Sequence, residues 1–276
     1  MQTNLRQRVT AIFIPLAAIV MVAAWLYIAP PGILGKLDAL GYAVCHRIDE
    51  RSFHIDGRQL PVCARCSGMY IGAVLGLLFQ AIIAPRRGGM PRWKVIIPLG
   101  MLFAAFGIDG ANSYLYLLKG LSGGSFFSAI PNLYTPNNPL RLFTGLGAGL
   151  GIATALYPSF NQTVFKNWDG APALDSYKSM GLMLALAALT GLLMLPEWPV
   201  VLYPMAFISA GGVLLILSMV YSLLWLMVMR EENTFERLRD YGFPMLAGLT
   251  VALIQITAID LFRLWLTHTW GAFPLR

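Results

Sequence analysis

All three cysteines of the chain fall in one short window: Cys45, followed by His46, and then Cys63-Ala64-Arg65-Cys66. His54 lies between them, so the window also holds two of the three histidines. A Cys-x-x-Cys spacing lets two sulfurs reach one metal ion, or reach each other. Zn²⁺ takes four nitrogen or sulfur ligands in a tetrahedron. Cys45, Cys63 and Cys66 with His46, or with His54 in its place, therefore make a chemically complete zinc site. The second chemistry is redox. Cys63 and Cys66 at the start of a helix, with Arg65 between them, suit a reactive thiol pair, because the positive end of the helix dipole and a guanidinium both favour a thiolate. Cys45 would then be the relay thiol, and quinone the lipid-soluble electron acceptor. A third reading is an inert disulfide with one spare thiol. Haem attachment is disfavoured, since Cys66 is followed by Ser67 and not by histidine.

A second set of polar residues lies inside apolar stretches: Asp109 and Asn112, Asn138 and Arg141, Asp260 and Arg263. A charge at the bilayer centre costs about 2.5–3.5 kcal/mol on insertion scales and normally faces a bundle interior. Either Arg141 or Arg263 can neutralise Asp109 or Asp260, and Asp260 and Arg263 are spaced for a local pair on one helix. The structural reading is two buried ion pairs that fix helix register. The functional reading is a polar pocket for a lipid head group, a quinone or a proton.

The elements that must position these groups are membrane helices. The chain is 57% hydrophobic and 12% charged, with mean hydropathy +0.65. Soluble domains carry about 25% charged residues, so the solvent here is lipid. Seven apolar runs are long enough to span: residues 9–29, 67–84, 95–118, 140–157, 179–195, 200–229 and 244–266. The first is too long for a signal-peptide core and reads as an uncleaved anchor. Residues 33–44 are weakly amphipathic and suit the interface, 158–178 read as a polar loop, and 230–242 as a charged helical connector. Gly68, Gly72 and Gly76 recur every fourth residue, and Gly145, Gly147 and Gly149 cluster in the fourth span, so both surfaces allow close helix approach.

With the N-terminus in the cytoplasm, eleven of the 20 Lys and Arg fall inside, among them Arg6, Arg8, Arg86 and Arg87. The cysteine window is then extracytoplasmic. Asp109, Asn112, Asn138, Arg141, Asp260 and Arg263 lie toward that same face. Trp265 and Trp270 read as interface anchors. No phosphate loop, dinucleotide fingerprint, nucleophile elbow or HExxH helix occurs, and no aromatic-interleaved basic patch suggests nucleic acid.

The Cys45-His46-x-x-x-Glu50-Arg51-Ser52-Phe53 and Gly57-x-Gln59-Leu60-Pro61-Val62-Cys63-Ala64-Arg65-Cys66-Ser67-Gly68 segments resemble a family of bacterial and archaeal membrane proteins known as a domain of unknown function. Asp109-Gly110 and Asn138-x-x-Arg141-x-x-Thr144-Gly145 match its later signatures, and Asn112 stands where the family often has Gln. The resemblance covers roughly residues 40–155. It implies that the cysteine window and the polar spans form one site, and it brings no activity with it.

The expectation is a single all-α integral membrane domain, residues 1–276, with about seven transmembrane helices in a prokaryotic plasma membrane. Residues 30–66 form an interfacial Cys/His segment, 40–155 the family-like core, and 156–276 three further helices. The site would hold zinc over a pocket for a lipid-soluble ligand or head group. The alternatives are a quinone-linked thiol–disulfide oxidoreductase, and a non-catalytic subunit that meets a larger membrane complex through its glycine faces.

Overall fold

A computed structural model describes residues 5–122, 127 and 129–271, with side chains from residue 10 onward. The side chains of Arg6 and Arg8, which the topology reading uses, lie outside the described residues, as do positions 123–126 of the glycine- and serine-rich loop and the last residues of the tail. Eight α-helices are described: α1 (Leu5–Ile28), α2 (Ile33–Val44), α3 (Ala64–Ile83), α4 (Trp93–Leu121), α5 (Asn138–Val164), α6 (Tyr177–Met194), α7 (Pro199–Met229) and α8 (Gly242–Thr267). All except α2 are long and apolar enough to cross a membrane. The chain is an all-α integral membrane protein.

Two expected segments differ. Residues 158–164 continue α5 instead of opening a loop, because Pro158 costs one hydrogen bond within a helix held on several sides, and Thr154, Asn161 and Val164 stay buried. Residues 230–242 are mostly turn: Arg230 adopts φ 60° and caps α7, and only Leu238–Tyr241 forms a short 3-10 helix before α8.

The closest helix pair is α3 with α5, and its cause is glycine. A Cβ on Gly68 would overlap the Leu142 carbonyl, one on Gly145 the Arg65 carbonyl, and one on Gly149 the Met69 carbonyl. The two glycine surfaces meet each other, and Gly147 is turned to Leu102 of α4. The α3–α5 contact sets the first turn of α3, which carries Arg65 and Cys66, against the first turns of α5, which carry Arg141 and Thr144.

Helix α2 packs inward. Leu37 and Leu40 form one apolar cluster with Ala210 of α7 and Ile256 of α8. Lys36 donates to the Ala29 carbonyl at 2.8 Å and to the Leu26 carbonyl, satisfying the end of α1.

Between α2 and α3 the chain makes a small knot. Asp49–Arg51 is a 3-10 turn, and β1 (His54–Ile55) pairs antiparallel with β2 (Arg58–Gln59). Asp56 and Gly57 both have positive φ, 50° and 79°, as a two-residue hairpin turn requires. The hairpin reverses the chain so that residues 61–63 return to the end of α2. At the far end of the bundle β3 (Arg87–Gly89) pairs parallel with β4 (Asp169–Pro172).

Candidate metal centre and its polar support

The hairpin and one glycine bring the cysteines together. Gly41, in the last turn of α2, lies under the Pro61 carbonyl, where a Cβ would overlap it. That approach puts Cys63, the residue preceding α3, beside Cys45, the residue following α2. The sulfurs of Cys45, Cys63 and Cys66 all lie within 4.8 Å of one another. Two backbone N–H groups donate to the Cys45 sulfur, from Cys63 at 3.3 Å and from Arg47 at 3.4 Å. Donors of this kind stabilise sulfur carrying negative charge.

All three cysteines are free thiols. The Cys63 thiol is held well below its ordinary range, chiefly by hydrogen bonds from Cys45 and Cys66, with Arg65 assisting. Cys45 is pushed up to about 12, because it shares its hydrogen bond with Cys63 and is buried. One negative charge is easily placed among the three sulfurs, and further ones need a cation.

The histidines stand apart from the sulfurs. Among the described residues the close ligand group is the three cysteines alone. His46 is exposed, and the His54 ring bonds Asp49 at 3.0 Å while its backbone N–H donates to Glu197 at 2.8 Å. The expected fourth histidine ligand is therefore not brought to the cluster. The hairpin that returns Cys63 to Cys45 carries His54 outward toward α7.

The polar residues of the spans support this centre differently from the expected pairing. Arg65 takes the Asp109 carboxylate, with Nε to Oδ2 at 3.0 Å and a second bond from Nη2, and it also donates from Nη2 to the Ser113 hydroxyl at 2.9 Å. Neither Arg141 nor Arg263 fills that role. Arg65 wins because the α3–α5 glycine contact points the first turn of α3 at α4. The Tyr134 hydroxyl donates to the other Asp109 oxygen at 2.8 Å, and the Thr144 hydroxyl approaches at 3.5 Å. Tyr134 is pushed up to about 12 by burial and by this bond to a carboxylate.

Asn112 holds the following loop through the Tyr134 carbonyl and the Leu133 N–H, both at 2.9 Å. Asn138 donates to the Ser52 carbonyl at 3.2 Å and accepts from Arg141 at 2.9 Å. These four expected pocket residues, Asp109, Asn112, Asn138 and Arg141, thus form a filled hydrogen-bonded brace. On α8 the expected local pair is replaced. Arg263 donates to the Cys45 carbonyl at 2.6 Å and to the Tyr42 carbonyl, and its guanidinium lies 3.8 Å over the Tyr42 ring. Asp260 is buried, and among the described residues neither of its oxygens has a hydrogen-bond partner.

The open space lies on the other side of the cysteines. A cavity of about 470 Å³ is bordered by Cys45, His46, Arg51 and Arg263, with Ile48 and Tyr114 among its apolar walls. Sequence reading missed the roles of Arg51, Ser113 and Tyr134, and gave Arg65 the role of favouring a thiolate without that of partner to Asp109. Arg65 carried a signal, since a cation at the start of an apolar helix is a natural partner for a buried Asp. Tyr134 carried none.

A family profile described as "Predicted membrane protein (DUF2085)" matches residues 45–155, from Cys45 into α5. An uncharacterized protein of Methanothermobacter thermautotrophicus is 33% identical over 110 residues, covering 40% of this chain and 81% of its own length. An uncharacterized protein of Methanocaldococcus jannaschii is 29% identical over 134 residues, covering 48% of this chain and 73% of its own. No solved structure matches. The matched region contains the cysteine knot, α3, α4 and most of α5, while the last three spans lie beyond the profile, and the chain belongs to the DUF2085 family of membrane proteins.

Proposed function

We propose that this is a membrane protein whose Cys45, Cys63 and Cys66 hold a zinc ion beside a pocket for a lipid-soluble ligand or lipid head group. The observation that carries the reading is the convergence of three sulfurs within 4.8 Å of one another. Zn–S bonds are about 2.3 Å and tetrahedral, so two sulfurs on one zinc stand a little under 4 Å apart, and small side-chain rotations reach that. Three soft anionic ligands suit zinc. Donation from the Arg47 and Cys63 N–H groups to the Cys45 sulfur supports a ligated thiolate. When bound, zinc supplies a Lewis acid with one position free for water or ligand. Cys45 borders the cavity, so a ligand held there would lie beside the sulfur cluster. In this reading the cysteine face is extracytoplasmic and the membrane is the prokaryotic plasma membrane.

The closeness of the Cys63 and Cys66 sulfurs at the start of α3 supports a second reading, which the acidified Cys63 thiol suits. Cys63 and Cys66 would close a disulfide, giving two electrons and two protons to a quinone that leaves as quinol, with Cys45 exchanging disulfides with a substrate thiol. Zinc content measured with thiol counting separates the two. The zinc reading expects about one ion per chain and thiols that react only after chelation. The redox reading expects little metal and a reducible Cys63–Cys66 bond.

A further inference from the structure

Three guanidiniums crowd one side of the cysteine knot, and one of the three meets a carboxylate. Arg51, Arg65 and Arg141 approach the same end of α4 and α5. Arg65 takes Asp109. Arg51 reaches only the Ser113 carbonyl, at 3.3 Å, and Arg141 only the Asn138 amide oxygen. Among the described residues neither has a carboxylate within 4.0 Å, and the Arg141 Nε is buried without a partner. The two guanidiniums are held at 3.3 Å and 2.9 Å by neutral oxygens alone. A zinc ion with three thiolates carries a single net negative charge, so an anion is still called for. Partly desolvated guanidiniums without counter-charge are costly.

The place for that anion is the cavity beside Cys45, which Arg51 borders. Its volume of about 470 Å³ gives room for far more than a bare oxyanion. Arg263 and His46 also border it, its other walls are apolar, from Val44, Ile48 and Leu117, and Tyr114 on α4 is 61% exposed at its edge, on the surface a bilayer would cover. A cation at one end and apolar walls leading to a lipid-facing side chain fit an amphiphile that enters sideways.

We infer that the cavity binds the phosphate of an anionic phospholipid, with Arg51 as its principal cation and the acyl end leaving past Tyr114. The inference rests on the proposed head-group pocket and names its ligand class. Arginine's planar fork matches phosphate oxygens in pairs.

The test uses the full chain in detergent, titrated with short-chain phosphatidylglycerol, short-chain phosphatidylcholine or inorganic phosphate, with thermal midpoint as the readout and zinc measured on each sample. Phosphatidylglycerol is expected to raise the midpoint saturably, and the other two to leave it flat. Arg51→Gln should raise the half-saturating concentration by about tenfold, the loss of one charge-assisted contact, and Arg51→Lys by less. Should Arg51→Gln fail to accumulate, Leu117→Trp fills the cavity without altering a charge and should give a similar loss. Equal stabilisation by both lipids, or no change in Arg51→Gln, overturns the inference. A response to inorganic phosphate that matches phosphatidylglycerol overturns the assignment to a lipid. Zinc retained without lipid discrimination sinks this inference alone, whereas Arg51-dependent lipid binding without zinc sinks only the metal reading.

Discussion

Arg65, between two cysteines at the start of α3, is bonded through Nε and Nη2 to the Asp109 carboxylate, which is 1% exposed inside α4. The pair fastens the sulfur-bearing turn to the bundle. Removing one partner of a buried pair costs about 3–5 kcal/mol, because the other charge stays buried and alone. Asp109→Asn is therefore expected to lower the thermal midpoint in detergent sharply, and the double variant with Arg65→Gln to recover part of the loss. A double variant no better than Asp109→Asn would mean the two side chains act separately.

The ligand set makes a sharper claim. Cys45→Ser, Cys63→Ser and Cys66→Ser should each remove most of the bound zinc. His46→Ala and His54→Ala should leave zinc content near wild type, since the close group contains sulfur alone and His54 is engaged with Asp49. Elemental analysis of the five purified variants checks this.

Gly41 tests how the knot is built. A methyl group there meets the Pro61 carbonyl and the Val62 side chain, so Gly41→Ala must push Cys63 away from Cys45. Overpacking of this kind costs about 1–3 kcal/mol. The expected result is a folded protein with weakened zinc retention, read by competition with a colorimetric chelator. Gly145→Ala, which drives a Cβ into the Arg65 backbone, should lower both stability and zinc retention.

In the metal-stripped chain at neutral pH, Cys63 should be alkylated ahead of Cys45, because only the thiolate reacts and the Cys63 thiol is the acidified one of the two. Peptide mass spectrometry after a short iodoacetamide pulse gives the order.

The spans were legible because lipid demands long apolar runs, and the glycine surfaces of α3 and α5 were legible because close packing needs small residues at a fixed spacing. The gathering of Cys45 with Cys63 and Cys66 is made by the Ile55-Asp56-Gly57-Arg58 hairpin turn, whose Asp-Gly signal the sequence reading passed over. The partner of Asp109 was legible only as one of several arginines. Arg65, Arg141 and Arg263 are all long cations near helix ends, and only the α3–α5 contact decides which one points at α4. The cavity was legible only in part, since of the six expected pocket residues Arg263 alone borders it. Buried polar residues on spans suggest a pocket, but here Asn112 and Asn138 each bond the chain that passes them, and the space opens beside Arg51 instead.

The most direct measurement of the central claim is metal content with thiol counting on the purified, unreduced chain. The account predicts about one zinc per chain, with three thiols that stay silent to a thiol reagent until a chelator is added. A chain without metal, whose Cys63 and Cys66 are joined until a reductant is supplied, would contradict it.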